Sequence, residues 1–288
     1  MHPEIFVFLQ KILPQHLLTA FAGQLAETRS PLIKNYLINR FIKKYKIDLS
    51  IAKITDPESF ACFNDFFIRE LRDDARPITT GKEIITSPVD GSIAAIGAIK
   101  AQQLLQAKHS YFQLPQLLGD SELAQHFYNG EFITLYLAPH NYHRVHMPLS
   151  GKLVKTIYVP GKLFSVNRIT TDLVPQLYSR NERLISIFAT DAGLVAVILV
   201  GAMIVGSIQT VWMQKPIRNK EVTIETFADG IELKKGAELG YFKLGSTVIC
   251  LFPQNQITWN NSLISGTLIE FGQALAKLTH NPKATPLS

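Results

Sequence analysis

Leu244-Gly245-Ser246-Thr247 runs directly into Val248-Ile249-Cys250-Leu251-Phe252-Pro253. The second half is an apolar run of strand formers closed by a proline, and it reads as a buried strand. Polar, glycine-punctuated sequence leads up to it from Lys234 to Lys243. The Gly-Ser pair therefore stands at the mouth of a core strand. There its peptide bond is firmly held, and a hydroxyl lies next to the preceding carbonyl. That arrangement suits attack of Ser246 on the Gly245 carbonyl. A Gly-Ser pair by itself is most often a turn. A serine nucleophile also needs a base, and the base needs an orienting partner, so the rest of the chain is read for both.

With 288 residues the chain has room for one large or two small domains. A hydrophobic share of 47% against 18% charged residues fits a globular protein with an apolar-rich surface. The net charge of +6 is uneven: residues 1–50 hold seven lysines and arginines against three acids. A basic end suggests an anionic partner, nucleic acid or a lipid surface. Cys62 and Cys250 are isolated in apolar surroundings and form no CxxC pair, which leans towards a reducing compartment. Met1-His2-Pro3-Glu4 lacks the positive start of a secretory signal. The longest uncharged run, residues 192–214, is broken by glycines and rich in β-branched residues. A membrane span needs ~20 continuous apolar residues, so buried strands around Gly201 are expected instead.

Residues 5–46 show helical spacing of apolar residues, interrupted at Pro14 and restarted at Ser30-Pro31. Lys34, Arg40, Lys43 and Lys44 border Phe, Leu and Ile. That pattern serves either an in-plane interfacial helix or helices packed on the protein's own core. A further helix is expected over 55–67, with Asp56 or Thr55 as cap and Phe60, Phe63, Phe66 and Phe67 on one face. Strands begin near residue 83, with Asp90 in a tight turn between Pro88 and Gly91. Residues 101–130 read as a helical insertion. The whole is α+β: N-terminal amphipathic helices, then a mainly antiparallel β core, a sheet or barrel-like. The tail from His280 is polar and reads as loose.

The second informative stretch follows a strand over 132–137. Ala138-Pro139-His140-Asn141-Tyr142-His143-Arg144-Val145-His146-Met147-Pro148 places three histidines in seven residues between prolines. Zinc would want further ligands that this segment lacks. General-base work suits histidine better, because its ordinary pKa lies near neutrality and a carboxylate partner fixes its tautomer. Asp90 is the candidate carboxylate.

Together these residues resemble the bacterial-type phosphatidylserine decarboxylase family. The resemblance is carried, in order, by 63–69 with 75–78, Pro88-Val89-Asp90-Gly91, Tyr142 to Pro148, Pro160-Gly161-Lys162-Leu163-Phe164-Ser165-Val166-Asn167, residues 200–207 and Leu244-Gly245-Ser246-Thr247. It covers about residues 60 to 255. Asn141 departs from the family, which usually has an acid there.

The resemblance implies a zymogen that cuts itself. Asp90 would orient His146, which would take the proton of Ser246 as its oxygen attacks Gly245. Ser246 would then become a covalent pyruvoyl (pyruvate) group on a chain of residues 246–288, still associated with residues 1–245. That ketone would condense with the serine amine of phosphatidylserine and accept electrons as carbon dioxide leaves, giving phosphatidylethanolamine. His143 or His146 would supply a proton, with the resemblance favouring His143. The resemblance further implies a region 1–50 docked from the cytoplasmic side on an anionic membrane surface. A catalytic domain would occupy 51–280, with homodimers of the cleaved pair and no nucleic acid or metal. Two other readings stand beside it. One is a Ser-His-Asp lipid hydrolase, which Ser246 disfavours by lacking a GxSxG elbow. The other is a non-enzymatic membrane-associated β module, since 88–93 also resembles lipoyl-type segments.

Overall fold

A computed structural model of the chain describes residues 2–107, 110–203, 208–217, 219–243 and 246–279. The tail from His280, expected to be loose, lies outside them. Three helices come first: α1 (Pro3–Ile12), α2 (Gln15–Ala26) and α3 (Pro31–Tyr45). Pro3 and Pro31 stand in first turns, where a missing N–H breaks no helical hydrogen bond. Pro14 separates α1 from α2, and the pair is bent by 90°. No single helix among the described residues is long and apolar enough to cross a membrane; α1 and α2 would qualify only as that bent pair.

The helix expected over 55–67 is split. Pro57–Ser59 is one 3-10 turn capped by Asp56, and α4 (Phe63–Phe67) is short. Between them Phe60 adopts extended backbone and turns inward. It joins Phe66, which with Phe63 and Phe67 packs around Phe41 of α3. Core packing here overrides a continuous helix.

The strands follow: β1 (Ile84–Thr86) and β2 (Gly91–Ala98). The expected helical insertion opens instead with a hairpin, β3 (Gln103–Ala107) and β4 (Ser110–Gln113), before short helices α5 (Leu114–Leu118) and α6 (Ser121–Ala124). In β3 burial alternates, with Leu104 and Gln106 inward, a period of two that belongs to a strand. Gln106 disguises it: the polar side chain is buried because it donates to Thr171 and Val174 carbonyls and accepts from the Leu177 N–H.

Then come β5 (Glu131–Leu137), β6 (Arg144–His146), β7 (Gly151–Val159), α7 (Arg168–Leu173), α8 (Leu177–Arg180), β8 (Arg183–Thr190), β9 (Gly193–Val200), β10 (Ile208–Thr210), β11 (Thr223–Leu233), β12 (Glu238–Phe242), β13 (Ser246–Phe252), β14 (Ile257–Trp259), β15 (Leu268–Ile269) and β16 (Ala274–Leu278). Eight form one antiparallel sheet in the order β11-β7-β8-β9-β13-β5-β2-β15. The two ends do not pair, so among the described residues the core is an open antiparallel sheet, the sheet form of the expected α+β core. Two small sheets, β10-β12-β6 and β1-β16-β14, stand beside it.

β13 is the central strand. All seven residues are buried between β9 and β5, as its unbroken apolar run requires. Residues 193–200, within the long uncharged stretch, are its neighbour β9 and not a span. Gly91 lets β2 close on β5: a side chain there would collide with the Tyr136 carbonyl oxygen.

Candidate functional site

Three segments meet at one end of the central sheet. Ser246, the first residue of β13, pairs with Leu137, the last of β5. Gly91, opening β2, packs against the Tyr136 carbonyl and the Leu137 amide. Asp90 and Ser246 therefore lie about two strands, roughly 10 Å, apart across β5. From Leu137 the chain turns through residues 138–143. Asn141 shapes that turn, accepting the Ala138 N–H on its side chain while its own N–H donates to the Ala138 carbonyl. The chain then enters β6, where the His146 N–H donates to the Pro88 carbonyl at 2.9 Å. The Phe242 N–H donates to the His143 carbonyl, four residues ahead of Ser246.

Ser246 is fully buried, and its Oγ has no hydrogen-bond partner; the Thr247 hydroxyl beside it is likewise unpartnered. Most buried hydroxyls are satisfied, so a pair of open ones at a strand mouth needs an explanation. Gly245 lies outside the described residues, as do residues 204–207 of the 200–207 motif.

Both histidines are neutral and have defined tautomers. A carbonyl can only accept. His143 Nδ1 therefore donates to the Asn141 carbonyl at 2.8 Å, leaving Nε2 as a lone pair. That Nε2 is buried and unpartnered. Burial pushes the His143 pKa down to about 3, and the ring packs on Phe67 at 4.1 Å. His146 Nδ1 donates to the Gly236 carbonyl at 2.9 Å, and its Nε2 accepts from the Tyr142 hydroxyl at 2.9 Å. Burial lowers its pKa to about 4 against the opposing pull of the Asp90 charge. Burial also pushes the Tyr142 phenol up, so it stays a donor. No hydrogen bond joins Ser246 to either histidine among the described residues.

Asp90 is buried, but its carboxylate does not bond His146. Arg76 takes it with Nη2–Oδ2 at 2.8 Å and Nε–Oδ1 at 3.1 Å, and the Phe271 N–H donates to Oδ1 at 2.8 Å. The expectation that Asp90 orients His146 is corrected in its geometry. A planar guanidinium binds a carboxylate through two charge-assisted bonds and outcompetes a neutral imidazole. The Gly236 carbonyl sets the tautomer instead. Asp90 reaches His146 indirectly, through Phe271, whose ring stacks on the imidazole at 3.8 Å. Phe271 carries no local sequence signal, because its place here depends on a contact 181 residues away. Arg76 and Tyr142 stood inside quoted motifs without an assigned role.

Buried neutral bases beside an unpartnered serine, in an α+β fold with N-terminal helices, define a protein equipped for acid–base chemistry inside its own core. A family model described as phosphatidylserine decarboxylase matches residues 63–277, and a second, described as PSD, matches residues 5–46. Proteins named phosphatidylserine decarboxylase proenzyme are similar along nearly the whole chain. That of Legionella pneumophila subsp. pneumophila (strain Philadelphia 1) is 47% identical over 276 residues, 94% of this chain and 96% of its own. That of Francisella philomiragia is 48% identical over 264 residues, 90% and 93%. That of Pseudomonas fluorescens (strain Pf-5) is 45% identical over 281 residues, 96% and 98%. The chain belongs to the phosphatidylserine decarboxylase family.

Proposed function

We propose that this protein decarboxylates phosphatidylserine to phosphatidylethanolamine after cutting itself before Ser246. The observation that carries the reading is the buried, unpartnered Ser246 hydroxyl at the head of the central strand, inside the matched family region. The pyruvoyl group fits this position: a serine there needs no external ligand to become a ketone, and the hydroxyl has no competing bond to lose.

The cut is written on the chain's own atoms. Ser246 Oγ adds to the Gly245 carbonyl, the C–N bond breaks, and an ester forms while the proton moves to the freed amino nitrogen. His146 is the base for that transfer, with the Tyr142 hydroxyl giving up Nε2 as the serine proton arrives. Loss of the Ser246 α-proton then breaks the ester Cβ–O bond. This leaves a carboxylate on Gly245 and a dehydroalanine at 246, which water converts to the ketone with release of ammonia. The group supplies an electron-withdrawing ketone next to an amide. His143, neutral with an open Nε2, takes up at that nitrogen the proton shed by the substrate amine and returns it to the carbon that has lost its carboxylate. Asp90, held by Arg76, contributes negative charge that favours protonated His146. A Ser-His-Asp hydrolase would need that carboxylate on the imidazole itself.

Mass spectrometry of the purified protein tests this. Chains of residues 1–245 and 246–288, the second ketone-capped, are expected. Ser246→Ala should stay one chain and release no carbon dioxide; turnover by that variant would end the reading.

We extend the proposal to a membrane surface. Ile5, Phe8, Ile12, Leu13, Leu17, Leu18, Phe21 and Leu25 of the α1–α2 pair are exposed. A cavity of about 500 Å³ at their elbow is lined by Lys11, His16, Lys162 and Arg180 with no acid. Apolar side chains beside cations suit an in-plane position among anionic headgroups, on the cytoplasmic leaflet. Residues 1–50 form the docking region and 51–280 the catalytic domain, with homodimers of the cleaved pair. Phe8→Ser with Phe21→Ser should cut sedimentation with anionic vesicles at least roughly ten-fold; unchanged binding would remove the docking role.

A further inference from the structure

Arg69, just after α4, is 5% exposed, yet its guanidinium makes a single hydrogen bond, Nη2 to the His140 carbonyl at 3.2 Å. Nε and Nη1 have no hydrogen-bond partner, and the guanidinium's other neighbour is the Phe66 ring, 5.6 Å away and without a negative charge. Other enclosed arginines in this chain are completed. Arg183, 3% exposed, donates to the carbonyls of Leu117, Ser179, Asn181 and Gln116. Arg76 is paired with Asp90, and Arg144 with Glu238. A buried charge without a counter-ion is costly and is normally paired or ligand-bound. The acid whose charge reaches Arg69 is Asp90, and Arg76 already occupies it.

Arg69 borders the candidate site. Arg69 is close enough to His143 for its charge to depress that imidazole's basicity, and it binds the 138–143 turn that leads from Leu137, the partner of Ser246. Arg69 Nε and Nη1, His143 Nε2 and Ser246 Oγ are thus buried, unpartnered groups around one turn. Resting on the decarboxylase reading, we infer that Arg69 binds the phosphodiester of the phospholipid headgroup. The headgroup carries two anions, and the reaction chooses between them. The carboxylate loses its charge as carbon dioxide departs, so a guanidinium holding it would stabilise the ground state over the transition state. The phosphodiester keeps its charge throughout, and holding it positions the amine without raising the barrier. In the uncut chain, with residue 246 still serine, those nitrogens are buried.

The test compares wild type, Arg69→Met and Arg69→Lys with short-chain, water-soluble phosphatidylserine and phosphatidylethanolamine. Self-cleavage, read by mass, should be intact in all three. Arg69→Met should raise KM for the serine lipid and, in calorimetry, Kd for the ethanolamine lipid by the same factor, roughly 10–100-fold. Arg69→Lys keeps the charge but not the planar fork and should weaken both by about 3–10-fold; it carries the test if the methionine variant does not fold. Weakening confined to the serine lipid would assign Arg69 to the carboxylate and overturn the inference. Unchanged binding of both lipids, or a folded variant that no longer cleaves, would also overturn it. A wild type that binds the ethanolamine lipid through Arg69 but releases no carbon dioxide would instead fail the decarboxylase reading alone.

Discussion

His143 and His146 carry the site's pH dependence. Each is buried as the neutral form, with a pKa lowered to about 3 and about 4, whereas an unfolded histidine titrates near 6.5. Below pH ~6.5 the unfolded chain takes up protons that the folded chain refuses until about pH 4. Stability is therefore fully present above ~6.5 and is lost as pH falls through that window. Denaturant melts at pH 7.5, 6 and 5 should show the decline, and a His143→Gln, His146→Gln double variant should show a shallower one. These two residues were legible in the sequence as bases because three histidines stood between prolines. Their tautomers were not, since the Gly236 carbonyl that sets one of them lies 90 residues away.

At the scale of elements, the α1–α2 elbow is pinned to the loop after β7 and to α7 by two buried glutamines. Gln10 accepts the Ser165 N–H and donates to Thr170, and Gln15 accepts the Leu163 N–H. Removing either leaves a buried amide unsatisfied, a cost of about 1–3 kcal/mol. Gln10→Ala and Gln15→Ala should each lower Tm by several degrees in calorimetry, while Lys11→Ala, at an exposed position between them, should not. β13 has no such polar dependence: Ile249→Ala should cost about 2–5 kcal/mol because both faces are covered. The helices over 3–45 and the strand at 246 were readable from periodicity. The β3–β4 hairpin was hidden by the buried amide of Gln106, and the helix at 55–67 was broken because Phe60 had a core to join.

For the whole molecule, the proposed cut falls at the head of a strand bonded on both sides. β13 belongs to the C-terminal piece, whereas β5 and β9 belong to the N-terminal one. β2–β15 and β1–β16 also pair across the two pieces. The cleaved chains should therefore co-elute in gel filtration and separate only in denaturant; separation in native buffer would contradict this topology.

The sequence by itself determined the kind of most elements, the N-terminal helices and the core strands, and the reactive residue types, because hydrophobic period and turn residues act over a few positions. Strand order, whether the sheet stays open or closes, and the transfer of Asp90 to Arg76 were decided by the tertiary structure alone. Each depends on which distant groups compete for one partner in a dry interior, and no local pattern encodes that competition.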